Sequence, residues 1–111
     1  MRKLEQQMCT AIRQRVSALC GNNTRVLTEA DTGSSYVYLH GHNIAKVAAN
    51  GDVSVNNCGW TSVTTKSRLN AIINEFLDGT KNGIHQKNFD WYVTNNGITS
   101  SFPVGEWYNF S

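Results

Sequence analysis

The side chains best suited to bind a metal or act as a nucleophile are three cysteines and three histidines, spread widely along the chain. His40 and His42 lie two residues apart, so in an extended strand both imidazoles would share one face and reach one metal ion. The glycine between them is typical of a turn, and no third ligand follows at a diagnostic spacing. Cys9, Cys20 and Cys58 form no Cys-x-x-Cys pair. We therefore expect no metal site and no cofactor, and we interpret the cysteines as free, largely buried thiols.

No arrangement of residues identifies an enzyme. A cysteine–histidine nucleophile would need a thiol beside one of the imidazoles and a third side chain to orient the histidine, and no local pattern supplies them. The carboxylates are scattered, and the chain lacks the glycine patterns that hold nucleotide phosphates or present a serine nucleophile. We predict no catalytic residues. A small enzyme with a Cys–His or metal centre is the weakest of three hypotheses for the function; the other two are binding of a protein and binding of nucleic acid.

Hydroxyl and basic side chains cluster where the second predicted helix begins. The candidates for anion or phosphate binding are Thr64, Thr65, Lys66 and Arg68. The two cations would occupy the first turn of that helix, and Glu75 and Asp78 the last turn, so both ends oppose the helix dipole. A helix N-terminus with free amides, hydroxyls and cations suits a phosphate or a carboxylate. The alternative is a threonine-capped helix whose charges are solvated.

Aromatic side chains form the second group of candidates. If the sheet buries Val37 and Leu39, strand alternation turns Tyr36 and Tyr38 outward. Exposed aromatic rings serve as anchors for protein partners or stack on unpaired bases. The candidates for partner binding are Tyr36, Tyr38, Tyr92, Trp107 and Tyr108. The alternative is a two-layer core that uses both faces of the sheet.

The first half of the chain predicts one helix and a meander of strands. Apolar residues at spacings of three and four predict an amphipathic helix over 2–19, and the Gly-Asn-Asn that follows predicts its end. Three or four short strands come next, the last two joined at Asn50-Gly51. Taken as a two-residue loop, this turn puts Lys46 on the same face as Ile44 and the valines of the next strand.

The second half predicts another helix and further strands. Apolar residues at i, i+3, i+4, i+7 and i+8 predict a helix over about 64–77, with Thr64 or Thr65 as its N-cap. A strand over 89–94 would turn Phe89 and Trp91 toward the core, and the Asn-Gly pair after it predicts a hairpin. Helix, antiparallel meander, second amphipathic helix and C-terminal hairpins predict an α+β fold in a single domain over 1–111.

Composition narrows the function further. The 111 residues carry ten basic and eight acidic side chains, and the net charge of +2 argues against a DNA mimic and gives no bulk-charge argument for nucleic-acid binding. No apolar stretch approaches the roughly 18 residues of a membrane span. Polar residues follow the N-terminal Arg-Lys where a signal peptide requires an apolar run, so we expect no signal peptide. We expect a cytoplasmic protein with no membrane partner. Homodimer formation through a sheet edge or the first helix stays open.

Two segments in the central and later parts of the chain carry a further pattern. The first is Trp60-Thr-Ser-Val-Thr-Thr-Lys-Ser-Arg-Leu-Asn-Ala-Ile72, and the second is Ile84-His-Gln86-x-Asn88-Phe89-x-Trp91-Tyr92. Together with Tyr38-Leu-His-Gly-His-Asn-Ile44 upstream, they resemble a family of small tailed-bacteriophage proteins. The resemblance covers roughly two-thirds of the chain. It implies a phage origin and carries over no catalytic residues.

The resemblance also implies an accessory role, since small phage proteins of this kind inhibit a host defence, redirect a host enzyme or bind nucleic acid. Our leading hypothesis is a non-enzymatic phage accessory protein that binds a host protein in the host bacterial cytoplasm. Its contact surface would be the face of Tyr36 and Tyr38 or the aromatic C-terminal hairpin. The alternative is a nucleic-acid-binding module that grips phosphate at the start of the second helix, with Arg25, Lys46 or Lys87 nearby.

Overall fold

The computed structural model describes residues 2–110 and contains two helices and nine strands in that part of the chain. The helices are α1 (Lys3–Gln14) and α2 (Val63–Phe76). The strands are β1 (Ala18–Cys20), β2 (Thr24–Thr28), β3 (Ser35–Leu39), β4 (His42–Val47), β5 (Val53–Val55), β6 (Gly83–Lys87), β7 (Asp90–Asn95), β8 (Ile98–Ser101) and β9 (Tyr108–Asn109). All strand pairs are antiparallel, which confirms the predicted α+β class and element order.

The larger sheet has six strands in the order β1-β2-β3-β4-β5-β9. Its first five strands are consecutive in the sequence, whereas β9 returns from the end of the chain to pair with β5. α1 packs on β1 and β2, and α2 packs on β4 and β5. The face under the helices contains a row of small or β-branched side chains in register: Ala18, Val26, Val37, Ala45 and Val55. The last four are fully buried, so the core lies between this face and the helices.

The smaller sheet has three strands in the order β6-β7-β8, packs on α2 through β6 and is hydrogen-bonded to α2 by the Asn70 side chain. The side-chain amide of Asn70 accepts a hydrogen bond from the Ile84 N–H and donates one to the Ile84 carbonyl, both at 2.8 Å. These two bonds satisfy backbone groups at the edge of β6 that β7 does not use. Ile84, Trp91 and Val93 then face the common core.

The first helix is shorter than the pattern over 2–19 predicts, and this part of the prediction is wrong. Arg15 adopts the left-handed conformation with φ 57°, and its N–H closes the helix on a carbonyl of the last turn. Residues 18–20 form β1, and the Gly-Asn-Asn segment joins β1 to β2 instead of ending a helix. A short apolar pattern fits either a helix or a strand, so the pattern alone does not distinguish the two conformations for residues 18–20. Hydrogen bonds to β2 stabilise the strand.

The loop between β4 and β5 is one residue longer than predicted. Val47 pairs with Val53 and Lys46 with Ser54. The Ala48 N–H donates to the Asp52 carbonyl, so Ala48 and Asp52 close the hairpin and three residues lie between them instead of two. Gly51, with φ 95°, supplies the left-handed residue that a three-residue loop requires. A one-residue shift exchanges the two faces of a strand. Lys46 therefore lies on the side away from the helices, and the predicted register is wrong.

Phe89 lies outside the core, contrary to the strand predicted over 89–94. Asn88 and Phe89 form the two-residue turn between β6 and β7, with φ 52° and 69°. Phe89 is 90% exposed at the tip of this turn. β7 begins one residue later than predicted, and Trp91 and Val93 are buried as their alternation predicts.

Candidate binding surface

The six-stranded sheet has one face that points away from both helices, here called the outer face. On β3, Val37 and Leu39 are buried, whereas Tyr36 and Tyr38 remain partly exposed. This confirms the orientation that strand alternation predicts for the two tyrosines. The outer face comprises Leu19, Arg25, Leu27, Tyr36, Tyr38, Asn43, Lys46, Ser54 and Asn109.

The two tyrosines of the outer face have different neighbours. The Tyr36 hydroxyl donates to Glu29 Oε1 at 3.5 Å, and Lys46 Nζ lies 5.7 Å from the centroid of the Tyr36 ring. Tyr38 lies opposite Arg25 in the register of β2 and β3. A tyrosine offers a large contact area and has few torsions to order on binding. The outer face thus combines two rings with two cations, and the structure brings together residues that the sequence predicted separately.

An open groove of about 630 Å³ lies at one end of the outer face. Leu19, Arg25, Leu27 and Tyr38 of the outer face line it, together with residues of the turns at Asn22 and Gly41. Leu19 is 77% exposed and adds apolar surface to this groove. The sequence prediction missed Leu19 because it assigned this residue to the apolar side of a helix. A strand predicted over this segment would have placed Leu19 on the exposed face.

The N-terminal turn of α2 is closed by its own side chains. The N-cap is Ser62, and not Thr64 or Thr65 as predicted. Ser62 Oγ accepts the N–H of Thr65 at 3.1 Å and lies 2.9 Å from Thr65 Oγ1. Thr65 is buried, while Thr64 and Lys66 are half-buried. The Thr65 hydroxyl is therefore hydrogen-bonded within the cap. Of the predicted anion-binding residues, Thr64 and Lys66 are the two in this turn whose side chains remain accessible.

Arg68 faces the interior and not the N-terminal turn. Its Nη1 lies 2.8 Å from Glu5 Oε2 on α1, and its Nε donates to Thr24 Oγ1 on β2 at 3.2 Å. Ser67 Oγ donates to the same carboxylate oxygen at 2.6 Å. Only 4% of Arg68 is exposed. Arg68 is thus unavailable to an external anion, and the predicted phosphate-binding cluster loses one of its two cations.

An apolar cleft of about 290 Å³ lies beside the start of α2. Leu39 and Ile44 line it together with the rings of Trp60 and His42, whose centroids are 5.8 Å apart. His40 also lines the cleft, at the β3–β4 turn that the glycine between the histidines predicts. No Lys, Arg, Asp or Glu is part of the lining. The cleft therefore fits an apolar or aromatic group better than a phosphate.

The remaining aromatic candidates divide between the surface and the core. Tyr92 stacks on His85 on the open side of the smaller sheet, with ring centroids 5.7 Å apart and planes 18° apart. Trp107 is exposed. Tyr108 packs edge-on against a buried phenylalanine, and its hydroxyl accepts a hydrogen bond from Asn95 at 3.0 Å. Tyr108 therefore belongs to the edge of the core more than to a contact surface.

None of the three thiols has the lowered pKa of a catalytic cysteine. Burial, followed by the carboxylates of Glu75 and Glu5, raises the pKa of the Cys9 thiol to about 12. Burial also raises the pKa of the Cys20 and Cys58 thiols. All three cysteines are free. Thiols in such surroundings stay protonated near neutral pH and are poor nucleophiles.

The described part of the chain has no cluster of metal-ligating side chains and no helix suited to a bilayer. Within residues 2–110, no group of three or more His, Cys, Asp or Glu side chains is placed to hold a metal ion. No helix in that range has the length and apolar character needed to cross a bilayer. His40 and His42 instead border the apolar cleft beside α2.

Comparison with known protein families identifies a phage family. A family model described as Kyanoviridae Gp96 protein matches residues 1–109, which is nearly the whole chain. No curated protein and no solved structure matches. The match confirms the small phage protein family implied by the resemblance, while the Trp60–Ile72 motif as a mark of that family stays a prediction.

Proposed function

The chain belongs to the Kyanoviridae Gp96 family of phage proteins, and we propose that it is a non-catalytic accessory protein that binds a protein of the bacterial host. The contact surface is the outer face around Tyr36 and Tyr38, together with the groove beside Leu19. Binding there would block or redirect the host target in the host cytoplasm, as a host-takeover or anti-defence modulator does.

The proposal is carried by the difference between the two faces of the six-stranded sheet. The helices bury one face, while Leu19, Leu27, Tyr36 and Tyr38 stay exposed or half-buried on the other. Two leucines and two tyrosines on one open face leave apolar surface in water, which packing within a monomer does not require. Tyrosine is favoured at the centre of interfaces, where it buries a large area and keeps a polar tip.

The charges of the outer face indicate the chemistry of the partner. Arg25 and Lys46 flank the two tyrosines, and Glu29 lies beside the Tyr36 hydroxyl. Charged groups around apolar anchors set the association rate and the choice of partner more than the affinity. We therefore expect the host protein to present carboxylates around an apolar contact.

The test is capture of host proteins from a nuclease-treated lysate by the tagged chain. A Tyr36→Ala/Tyr38→Ala variant should lose the captured protein, because it removes both rings from the outer face. A matched control, Tyr92→Ala, removes a half-buried tyrosine from the other sheet and should retain the protein. Circular dichroism must show that all variants are folded. Equal capture by wild type and the double variant would remove the outer face from the proposal.

A second candidate function is binding of single-stranded nucleic acid on the same face. The observation that favours it is the placement of Arg25 and Lys46 beside Tyr36 and Tyr38 on an open sheet. Several nucleic-acid-binding folds stack unpaired bases on aromatic side chains of a sheet and hold the backbone with cations. This surface replaces the start of α2 as the candidate, because Arg68 is buried there.

Salt distinguishes the two candidates. Affinity for an oligonucleotide that depends on phosphate contacts falls steeply between about 50 and 200 mM salt. A protein interface anchored by aromatic side chains is much less sensitive to salt. Loss of all captured material after nuclease treatment would favour nucleic acid, and retention would favour a protein partner.

A further inference from the structure

The outer strand of the smaller sheet, β8, is an open edge. Its four residues, Ile98–Ser101, are all exposed and include neither a charge nor a proline. Natural edge strands are usually protected from pairing by charges, prolines or a covering element. The opposite edge of this sheet is occupied in part, since Asn70 bonds both backbone groups of Ile84 on β6. Within residues 2–110, no strand pairs with the outer side of β8.

The backbone groups of β8 alternate between β7 and solvent. The N–H of Phe102, just after β8, donates to the Trp91 carbonyl on β7 at 3.0 Å. In an antiparallel strand, successive residues direct their N–H and C=O groups to opposite sides. Thr99 and Ser101 therefore direct theirs away from β7. Pro103 has no N–H, so the free edge consists of these two residues.

We propose that β8 pairs with β8 of a second copy of this chain, so that two three-stranded sheets join into one of six strands. The antiparallel pairing that satisfies both free residues sets Thr99 of one copy opposite Ser101 of the other, and the reverse. Each such pair exchanges two backbone hydrogen bonds. The two-fold axis of the dimer passes between the two copies of Ser100.

The same register gives an exposed apolar side chain a neighbour. It places Ile98 of one copy opposite Phe102 of the other, on the side of the sheet that carries Ser100. Ile98 is 74% exposed in the single chain, and apolar cross-strand pairs stabilise sheets. A two-fold contact also requires a strand that is complementary to itself. β8 meets this condition because it has no charge that would face its own copy.

The test is disulfide formation by a Ser100→Cys variant in a Cys58→Ser background, which leaves only the two buried native thiols. The two Ser100 residues would form a non-hydrogen-bonded pair with Cα atoms about 4.5 Å apart, within reach of a disulfide. The matched control is Thr99→Cys, which faces Ser101 of the other copy and meets no thiol. With oxidised glutathione as oxidant, Ser100→Cys should form covalent dimer at least about tenfold faster than the control.

Sedimentation equilibrium provides the second measurement. The mean mass of the wild type should rise from one chain toward two as concentration increases. Ser101→Pro removes an outward N–H that β7 does not use, so the variant should stay at one chain. Equal cross-linking of the two cysteine variants would overturn the proposal even if Ser101→Pro failed to fold. A wild type that stays at one chain, or a dimer that Ser101→Pro leaves intact, would also overturn it.

Discussion

The guanidinium of Arg68 on α2 and the carboxylate of Glu5 on α1 form an ion pair at 2.8 Å, and both side chains are buried. Arg68 Nε also donates to Thr24 on β2, and Ser67 donates to Glu5. These hydrogen bonds replace water around both charges, which is the condition for an ion pair to persist in the interior. The pair connects both helices to the six-stranded sheet.

Removal of one partner of this ion pair should destabilise the protein strongly. Arg68→Met should lower the free energy of unfolding by roughly 3–5 kcal/mol, because Glu5 stays buried without its counter-charge. Glu5→Leu/Arg68→Met should recover most of the loss, since neither charge then remains. Urea unfolding measures both. Arg13→Ala, which breaks the exposed ion pair with Glu75, should cost less than about 1 kcal/mol. A double variant as unstable as the single one would contradict this account.

Loss of the Asn70 side chain should loosen the smaller sheet. Asn70→Ala leaves the N–H and the carbonyl of Ile84 without their partner, at a cost of roughly 1–3 kcal/mol in the free energy of unfolding. Amide hydrogen exchange should accelerate in β6, β7 and β8 more than in the six-stranded sheet. Asn74→Ala, an exposed position on the same helix, is the control. Unchanged exchange in the smaller sheet would show that Asn70 does not anchor it.

Replacement of Phe89 by glycine should stabilise the β6–β7 turn. The left-handed conformation costs a residue other than glycine roughly 1–2 kcal/mol, and Phe89 is too exposed to lose packing on replacement. Part of this gain is offset because glycine is more flexible in the unfolded chain. Thermal unfolding should show a rise in Tm for Phe89→Gly, and a smaller rise for Asn88→Gly because asparagine tolerates this conformation. A fall in Tm would mean that the ring makes stabilising contacts.

Cys9 should make stability depend on alkaline pH. Its thiol has a pKa of about 12 in the folded protein, above the value of about 8.5 of an exposed thiol. A thiol whose pKa is higher in the folded than in the unfolded protein contributes stability that is fully present below the unfolded-state pKa. This stability is lost as the pH rises through the folded-state pKa. The free energy of unfolding should therefore fall more steeply in wild type than in Cys9→Ala between about pH 9 and pH 12. The free energy of unfolding can be measured with urea at each pH. An equal pH dependence in wild type and Cys9→Ala would contradict the prediction.

Local periodicity was sufficient for several elements because it depends only on neighbouring residues. The spacing from Leu69 to Leu77 predicted α2 within one residue at each end. Alternation along β3 predicted which side of the strand carries Tyr36 and Tyr38. The order of helices and strands, and with it the α+β class, followed from the same patterns.

Predictions failed where a local pattern fits two structures and a distant segment decides between them. Residues 15–19 could continue a helix, but residues 18–20 pair with β2 as a strand, which exposes Leu19. One extra residue in the β4–β5 loop moved Lys46 to the outer face, because a strand exchanges its faces at every residue.

Local patterns were enough to predict the α+β class, the position of α2 and the faces of β3, since each is a property of adjacent residues. The role of Arg68 could not be predicted in this way, because its partner Glu5 lies on the other helix. The pairing of β9 with β5, and the open edge of β8, likewise depend on segments far apart in the chain. The pattern of side chains determines the local conformation of the chain. The burial of a side chain and the pairing of a strand depend on which distant segments the complete fold places beside them.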